Sequence, residues 1–308
     1  MGISFDRASD VGLSLSCCDT QCRTCGAPTP CATDTAHGFS VDRVTEEDLS
    51  ITREPRAYFT FVFIGLLAGL LSGLFGVGGG TVIVPLLVLM LHYGQRRGAG
   101  TSLAAIVPTA SIGVISYALA DAVAWIPALI LAGGAVVGAQ IGTWLLPKVS
   151  QSALRWGFVA FLVAVIVSLF VVIPSREAEL VLGWGNGIGL AGVGVGTGII
   201  AGLIGVGGGV VVVPVLMLVF GTSDLVAKGT SLLMMIPTAI SGTIGNLRHG
   251  NVDLLAAGII GLAACTTTAL GAWLATIVDP FVGNMLFAGY LLFIAVQMSV
   301  KAIRGRRR

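Results

Sequence analysis

The stretch GLLSGLFGVGGGTVIVP, residues 69–85, is apolar enough for a membrane and yet contains six glycines. A glycine in a helix interior costs about 1 kcal/mol relative to alanine. The cluster Gly-x-Gly-Gly-Gly at residues 76–80 is therefore a poor place for a helix to continue. In lipid, a break also frees backbone groups that must find partners elsewhere. The stretch predicts a membrane helix that ends at the cluster and a second helix that begins there.

The same pattern returns in the second half of the chain as GIIAGLIGVGGGVVVVP, residues 198–214. Residues 65–144 align with residues 194–273 at a constant offset of 129 residues and without a gap. The shared positions include both glycine clusters and the tetrapeptide Gly-Thr-Ser-Leu, which opens a later apolar run in each half. Glycines spaced by four, such as Gly65, Gly69 and Gly73, predict close helix packing. An ungapped match of this length indicates an internal duplication.

Composition places the chain in a membrane. Of its 308 residues, 55% are hydrophobic and only 10% are charged, and the mean hydropathy is +0.96. Soluble domains carry about 25% charged residues, so this chain cannot cover a surface that faces water. A net charge of +2 gives no reason to expect a nucleic-acid partner. We predict an all-α polytopic membrane protein that is surrounded by a lipid bilayer.

Ten apolar runs follow one another along the chain. They lie at residues 57–76, 80–93, 99–118, 124–146, 155–174, 184–205, 209–220, 229–247, 252–274 and 281–303. A spanning helix needs about 20 apolar residues, and the runs that follow the glycine clusters are too short to cross alone. We assign residues 57–174 and 184–303 to two membrane repeats of about five segments each. A soluble tail, residues 1–56, and a basic C-terminus, residues 304–308, flank them.

The charged residues predict the orientation of these repeats. If every run advances across the membrane, most basic residues fall on one side, which the positive-inside rule places in the cytoplasm with both termini. That side holds Arg53, Arg56, Arg96, Arg97, Lys148, Arg155, Arg248, Lys301, Arg304, Arg306, Arg307 and Arg308, and the other side holds Arg176, Lys228, Asp121, Glu177, Glu179, Asp224 and Asp279. The first two runs of each half cross twice or return as a hairpin, and each half crosses an odd number of times in both cases. The repeats then have inverted topology, an architecture of secondary transporters with a substrate site near the midplane.

The glycine breaks predict a binding site for a small anion. A short helix that begins at a break presents unpaired N–H groups and the positive end of its dipole, and such ends bind anions. Hydroxyl groups can donate to an oxyanion, although a hydrogen bond to its own helix is the alternative for any single Ser or Thr. The predicted substrate-binding residues are Gly76, Gly78, Gly79, Gly80, Thr101, Ser102, Gly205, Gly207, Gly208, Gly209, Thr230, Ser231 and Asn246.

Other functional classes fit the sequence less well. No Lys, Arg, Asp or Glu occurs in the middle of any apolar run, and such residues usually mark cation sites or proton relays. The glycine clusters lack the lysine of a nucleotide-binding P-loop, which excludes an ATP-driven pump encoded in this chain. A membrane-embedded enzyme would need nucleophiles, carboxylates or histidines at depth. We therefore expect neither an enzyme nor a cofactor, and a passive anion channel is the alternative to a secondary transporter.

The doubled motif G-x-G-G-G-x-x-x-V-P-x-L, here GVGGGTVIVPLL and GVGGGVVVVPVL, resembles the TauE/SafE-type sulfite exporter family, also called the toluene-sulfonate uptake permeases. The stretch PTAISGTIGNLRHGNVD, residues 237–253, adds to a likeness that covers residues 57–303. The resemblance implies a multi-pass, proton-linked transporter of sulfite, organosulfonates or related small anions in a prokaryotic cell membrane. Substrate, direction of transport and assembly into a homo-oligomer stay open.

The N-terminal tail has a composition of its own. It holds five of the six cysteines, in CCDTQCRTCGAPTPC, and no apolar run long enough for a signal peptide. Cys22 and Cys25 form a CxxC motif, for which zinc binding, thiol redox chemistry and no defined role are the alternatives. The family pattern, as the resemblance has it, does not include this tail.

Overall fold

The computed structural model describes residues 55–171 and 184–305, and these residues form ten α-helices and no β-strand. The helices are α1 (Pro55–Phe75), α2 (Gly80–Met90), α3 (Gln95–Ala118), α4 (Trp125–Leu145), α5 (Gln151–Val171), α6 (Trp184–Ile204), α7 (Gly209–Val219), α8 (Asp224–Arg248), α9 (Leu254–Ile277) and α10 (Pro280–Gly305). Each predicted apolar run corresponds to one helix. The predicted all-α class with glycine-broken helices is confirmed.

Seven helices of the described chain are long and apolar enough to cross a membrane: α1, α3, α4, α6, α8, α9 and α10. The helices α2 and α7 have 11 residues each, which is a length of about 16 Å at 1.5 Å per residue. Large apolar side chains such as Phe59, Leu129 and Leu262 lie exposed on the outside of the bundle, where lipid would cover them. These features confirm a polytopic membrane protein.

Glycines make the closest contacts between α1 and α9. A Cβ atom added at Gly65 would lie 2.5 Å from Ile260 O, and one added at Gly73 would collide with Thr268 O. Only glycine lets the two backbones approach this closely. Residue numbers rise together along both helices, so α1 and α9 run parallel. The predicted packing role of these glycines is confirmed.

Helices α6 and α4 make the equivalent contact. Here the helix that supplies the glycines, α6, belongs to the second half, and its partner α4 belongs to the first. A Cβ atom added at Gly194 would collide with Leu131 O, and one added at Gly202 would lie 2.6 Å from Ala139 O. Each of these four residues is the duplication partner of one in the contact between α1 and α9. Helix α6 therefore packs on α4 as α1 packs on α9, which is consistent with the predicted duplication.

Helices α3 and α8 pack antiparallel against each other. A Cβ atom added at Gly113 would lie 2.8 Å from Leu232 Cδ1, and one added at Gly242 would lie 3.0 Å from Leu103 Cδ1. The end of each helix thus meets the beginning of the other. Because α3 and α8 are duplication partners, their antiparallel packing is the relation that an inverted repeat requires. The direction of each half relative to a bilayer stays a prediction.

Helices α1 and α2 form a hairpin. Phe61 in the first half of α1 belongs to the same buried cluster as Leu87 near the end of α2. Tyr93, which follows α2, donates a 2.8 Å hydrogen bond to Asp253, the residue that caps the start of α9. Since α1 and α9 run parallel, the chain has returned to the end of the bundle where α1 begins. Of the two alternatives for these short segments, the structure shows the hairpin.

Candidate functional site

Each helix break is built from glycines in the left-handed backbone conformation. Helix α1 ends at Phe75 and α2 begins at Gly80, and the same interruption separates α6 from α7. The left-handed residues and their φ angles are Gly76 (+68°), Gly78 (+68°), Gly79 (+77°), Gly205 (+81°), Gly207 (+81°) and Gly208 (+85°). A side chain at such a position costs roughly 1–2 kcal/mol. The backbone path itself therefore requires the two glycine clusters.

The two breaks contact each other at the centre of the bundle. A Cβ atom added at Gly80 would lie 2.9 Å from Gly205 O, and one added at Gly209 would lie 2.9 Å from Gly76 O. Both glycine clusters are buried. The first turns of α2 and α7 thus lie beside each other. In α2 the amides of Val82 and Ile83 donate to Gly79 O, and in α7 those of Val211 and Val212 donate to Gly208 O.

An apolar pair packs against both glycine clusters. Cβ atoms added at Gly78 and at Gly207 would both collide with Met235 Cε, and they would lie 3.3 and 3.1 Å from methyl carbons of Ile106. Ile106 and Met235 occupy the same position in the two halves, and both are buried. This pair closes the space between the two breaks in the conformation described.

The predicted serines hold the glycine carbonyls. The hydroxyl of Ser231 donates to Gly76 O at 2.7 Å and lies 2.8 Å from Lys228 O. In the other half, the hydroxyl of Ser102 donates to Gly205 O. Each serine therefore forms a hydrogen bond to the break of the opposite repeat. Each hydroxyl also lies near a carbonyl of its own helix.

The predicted threonines join the repeats at a different place. Thr101 accepts a 3.0 Å hydrogen bond from the amide of Asp253, and Thr230 accepts one of 3.0 Å from the amide of Ala124. The structure thus brings the serines to the breaks and places the threonines against the starts of α9 and α4. A role for any of these hydroxyls in binding substrate stays a prediction.

Asn246 differs from its duplication partner, Tyr117. Its Nδ2 donates to Gly242 O at 2.9 Å, and its buried Oδ1 has no hydrogen-bond partner within the described chain. The Tyr117 hydroxyl instead donates to Gly73 O at 2.7 Å, close to the first break. The two halves therefore have unlike polar groups at this position.

Sequence reasoning missed a buried ion pair at the start of α8. Asp224 and Lys228 precede the predicted run 229–247, but the structure places both within the first two turns of the helix. Lys228 Nζ lies 2.7 Å from Asp224 Oδ2, and the two side chains are 8% and 1% exposed. Ser223 caps this helix by accepting a hydrogen bond from Val226 N. A Ser before an acidic first turn is a helix-start signal that could have revealed the pair.

These features define the class of protein. The chain is a helical membrane protein with an internal sequence duplication, in which two broken helices meet inside the bundle; broken helices also form the substrate sites of secondary transporters. The family model described as Sulfite exporter TauE/SafE matches residues 38–169 and 190–308, which is most of the chain. The protein belongs to this family of membrane transporters.

Curated relatives agree with the family. A probable membrane transporter protein of Bacillus subtilis, YunE, is 26% identical over 223 residues, which cover 65% of this chain and 81% of the relative. A probable membrane transporter protein of Haemophilus influenzae is 24% identical over 272 residues, covering 79% of this chain and 96% of the relative. Both are described as transporters, and neither description names a substrate. No solved structure matches the chain.

The family match corrects the expected extent of the resemblance. It begins at residue 38, so residues 38–56 fall inside the family pattern rather than outside it. Cys22 and Cys25 lie before the match and outside the described residues. Within the residues that the structure describes, no cluster of His, Cys, Asp or Glu could hold a metal ion.

Proposed function

We propose that the protein is a secondary transporter that carries small anions across the cell membrane, with sulfite, organosulfonates or related sulfur oxyanions as substrates and a linked proton. The observation that carries this proposal is the meeting of the α2 and α7 N-termini, each preceded by left-handed glycines, at the centre of the bundle. Helix N-termini attract anions through free N–H groups and the dipole. The description of the family as sulfite exporters narrows the candidate substrates to sulfur oxyanions such as sulfite.

The packing of the site suggests how it would work. Ile106 and Met235 fill the space beside Gly78 and Gly207 in this conformation, so an anion enters only when the repeats move relative to each other. Rocking of one inverted repeat against the other is the usual motion of such transporters. That motion would pull Ser102 and Ser231 from the glycine carbonyls of the opposite repeat. Each freed hydroxyl could then donate to the anion.

Groups without a formal charge would supply much of the binding of a small anion at the breaks. The amides of the two breaks supply partial positive charge, and the middles of the apolar runs contain no Lys, Arg, Asp or Glu. An anion held mainly by backbone dipoles and hydroxyls does not depend on a permanent ion pair, since Lys228 beside Gly76 is itself paired with Asp224. Such a site can release its ligand on the opposite side, as a transport cycle requires.

A passive anion channel is the second candidate, because the same helix ends could line a pore. Flux through a channel follows the membrane potential and the anion gradient alone. A proton-linked transporter instead accumulates the anion against its gradient when a pH difference is applied.

The test uses the purified chain in proteoliposomes with sulfite, thiosulfate and a small organosulfonate. At least one anion should accumulate when a pH gradient is imposed, and none should in protein-free vesicles. Flux that ignores the pH gradient and follows the potential would favour the channel. If none of the three anions crosses faster than in protein-free vesicles, the proposal is wrong.

A matched pair of variants ties the flux to the breaks. Gly208→Ala places a side chain at a left-handed helix cap beside the break, and Gly250→Ala does so at a left-handed turn where the added Cβ meets nothing within 4 Å. Flux should fall by roughly tenfold or more for Gly208→Ala, since the anion-binding end of α7 is distorted. It should stay near wild type for Gly250→Ala.

The proposed orientation has both termini in the cytoplasm. A periplasmic and a cytoplasmic reporter, each fused after Arg308, measure the location of the C-terminus. Activity of the periplasmic reporter alone would contradict the orientation, without bearing on the substrate.

A further inference from the structure

The start of α8 holds charges that the fold has removed from water. Besides the pair between Lys228 Nζ and Asp224 Oδ2, the second carboxylate oxygen, Asp224 Oδ1, is buried with no hydrogen-bond partner in the described chain. The hydroxyl of Thr222, two residues earlier, is also buried and unpaired there. Burying charges costs several kcal/mol per ion unless their hydrogen bonds are complete. This cluster is therefore poorly explained as a device for stability.

The ion pair is attached to the first helix break. A Cβ atom added at Gly76 would lie 2.6 Å from Lys228 Cβ and 2.7 Å from Lys228 Cα. Ser231, one turn further along α8, lies within hydrogen-bond distance of both Gly76 O and Lys228 O. Lys228 and the first break are therefore in direct contact and share Ser231 as a hydrogen-bonding neighbour.

The fold does not need the pair. In the first half the duplication partners of Asp224 and Lys228 are Gln95 and Ala99, which start α3 with the same packing against a break. Asp224 is favourable at a helix N-terminus, but a lysine near that end is not. The charges therefore belong to one end of the molecule and serve something other than the architecture.

Among the residues that the structure describes, few other charged or titratable groups face the pair. Tyr117 of α3 packs against Gly229, the residue after Lys228, and its hydroxyl donates to Gly73 O. Asp121 lies exposed in the connection between α3 and α4, which packs against Gly229. The sequences of α4, α6 and α7, which also contact α8, contain no charged residue and no histidine.

We propose that Asp224 and Lys228 are the proton-coupling pair of the transporter, and this inference rests on the proposed function. A proton from the aqueous side binds the free oxygen of Asp224, and the neutral carboxyl group then releases Lys228. The ammonium group of Lys228 pairs with one monovalent anion beside Gly76. Proton and anion move together without net charge, and the original ion pair forms again when both have left.

The test compares single variants in proteoliposomes with sulfite as the probe. Asp224→Asn should reduce accumulation driven by a pH gradient by roughly tenfold or more, because the residue no longer exchanges a proton. Lys228→Gln should reduce sulfite transport to a similar degree under all conditions, since a charge-assisted hydrogen bond to the anion is lost. Lys228→Arg, which keeps the positive charge, should retain part of the sulfite transport that Lys228→Gln loses. The control is Arg97→Gln, which removes the 3.1 Å ion pair with Asp253 at the opposite end and should keep the wild-type response to pH.

A double variant distinguishes loss of proton coupling from misfolding. Asp224→Gln with Lys228→Ala copies the residues that the first repeat has at these positions, so it should fold and should lack the response to the pH gradient. A wild-type response in this variant or in Asp224→Asn would overturn the coupling role, while leaving the proposed function in place. If the wild-type protein moves no anion, the proposed function fails, and this inference fails with it.

Discussion

The two helix breaks share a backbone and differ in their neighbours. Gly76 packs against Lys228, and the duplication partner Gly205 packs against Ala99. Both glycines are left-handed, and both carbonyls accept a serine hydroxyl from the opposite repeat. The shared features are therefore what the architecture requires, and the lysine is an addition at one end.

The same contrast extends to the first residue of each helix that follows. Helix α8 begins with Asp224, which binds Lys228, whereas α3 begins with Gln95, which is fully buried and whose amide atoms have no hydrogen-bond partner among the described residues. A charged pair and a neutral amide thus occupy equivalent buried places. A symmetric backbone with unequal polar groups can respond differently to the solutions on its two sides.

The largest effect is expected from placing a charge at the neutral end. Ala99→Lys puts an ammonium group beside Gly205 without a carboxylate, and an unpaired buried charge costs about 3–5 kcal/mol. Adding Gln95→Asp should recover much of that loss if the two ends have equivalent geometry. Thermal unfolding in detergent of the wild type, both single variants and the double variant gives the coupling free energy. A coupling near zero would show that the equivalence of the ends does not extend to side chains.

A somewhat smaller loss is expected from closing the space at the breaks. Alanine at Gly205 or Gly76 combines left-handed strain with overpacking, together about 2–5 kcal/mol. Gly205→Ala should be at least as harmful as Gly76→Ala, because its Cβ meets the backbone of Ala99 rather than mainly a side chain. Unfolding midpoints of both variants measure this order. Gly250→Ala serves as the control for left-handed strain alone. If Gly76→Ala or Gly205→Ala lost no more stability than Gly250→Ala, the close contact would be disproved.

The smallest effects are expected from the serines. Ser102→Ala and Ser231→Ala each leave a buried glycine carbonyl without its hydroxyl donor, at a cost of about 1–3 kcal/mol. The two losses of stability should be similar, since the hydrogen bonds are equivalent. Measuring both the unfolding midpoint and the sulfite flux of each variant distinguishes two roles of the serine: stabilising the break and contacting the anion. A variant that is as stable as wild type but transports poorly would reveal direct contact.

Local sequence predicted the breaks and the duplication well. The clusters at 76–80 and 205–209 contain too much glycine for a continuous helix, and helix ends follow from that local property. The charges near the start of α8 were not predicted as a site, because a short polar segment between apolar runs has the composition of a loop. Only packing against Gly76 buries Lys228, and that contact joins residues from different repeats.

The serines and threonines illustrate a second limit. The tetrapeptide Gly-Thr-Ser-Leu was predicted to supply hydroxyls to an anion, and the structure shows Ser102 and Ser231 donating to glycine carbonyls of the opposite repeat. Hydrogen-bond partners that lie more than 100 residues apart along the chain cannot be read from either copy of the motif. Whether these hydroxyls also reach a substrate stays a prediction.

The sequence by itself determined the membrane environment, the helical class, the position of both breaks and the two-fold repetition. Each of these follows from composition, glycine content or self-similarity, which are properties of short segments. The tertiary structure decided that α1 and α2 form a hairpin, that equivalent helices pack antiparallel, and that Asp224 and Lys228 are buried. These outcomes depend on which distant surfaces meet, because packing between helices and the removal of water are properties of the assembled bundle.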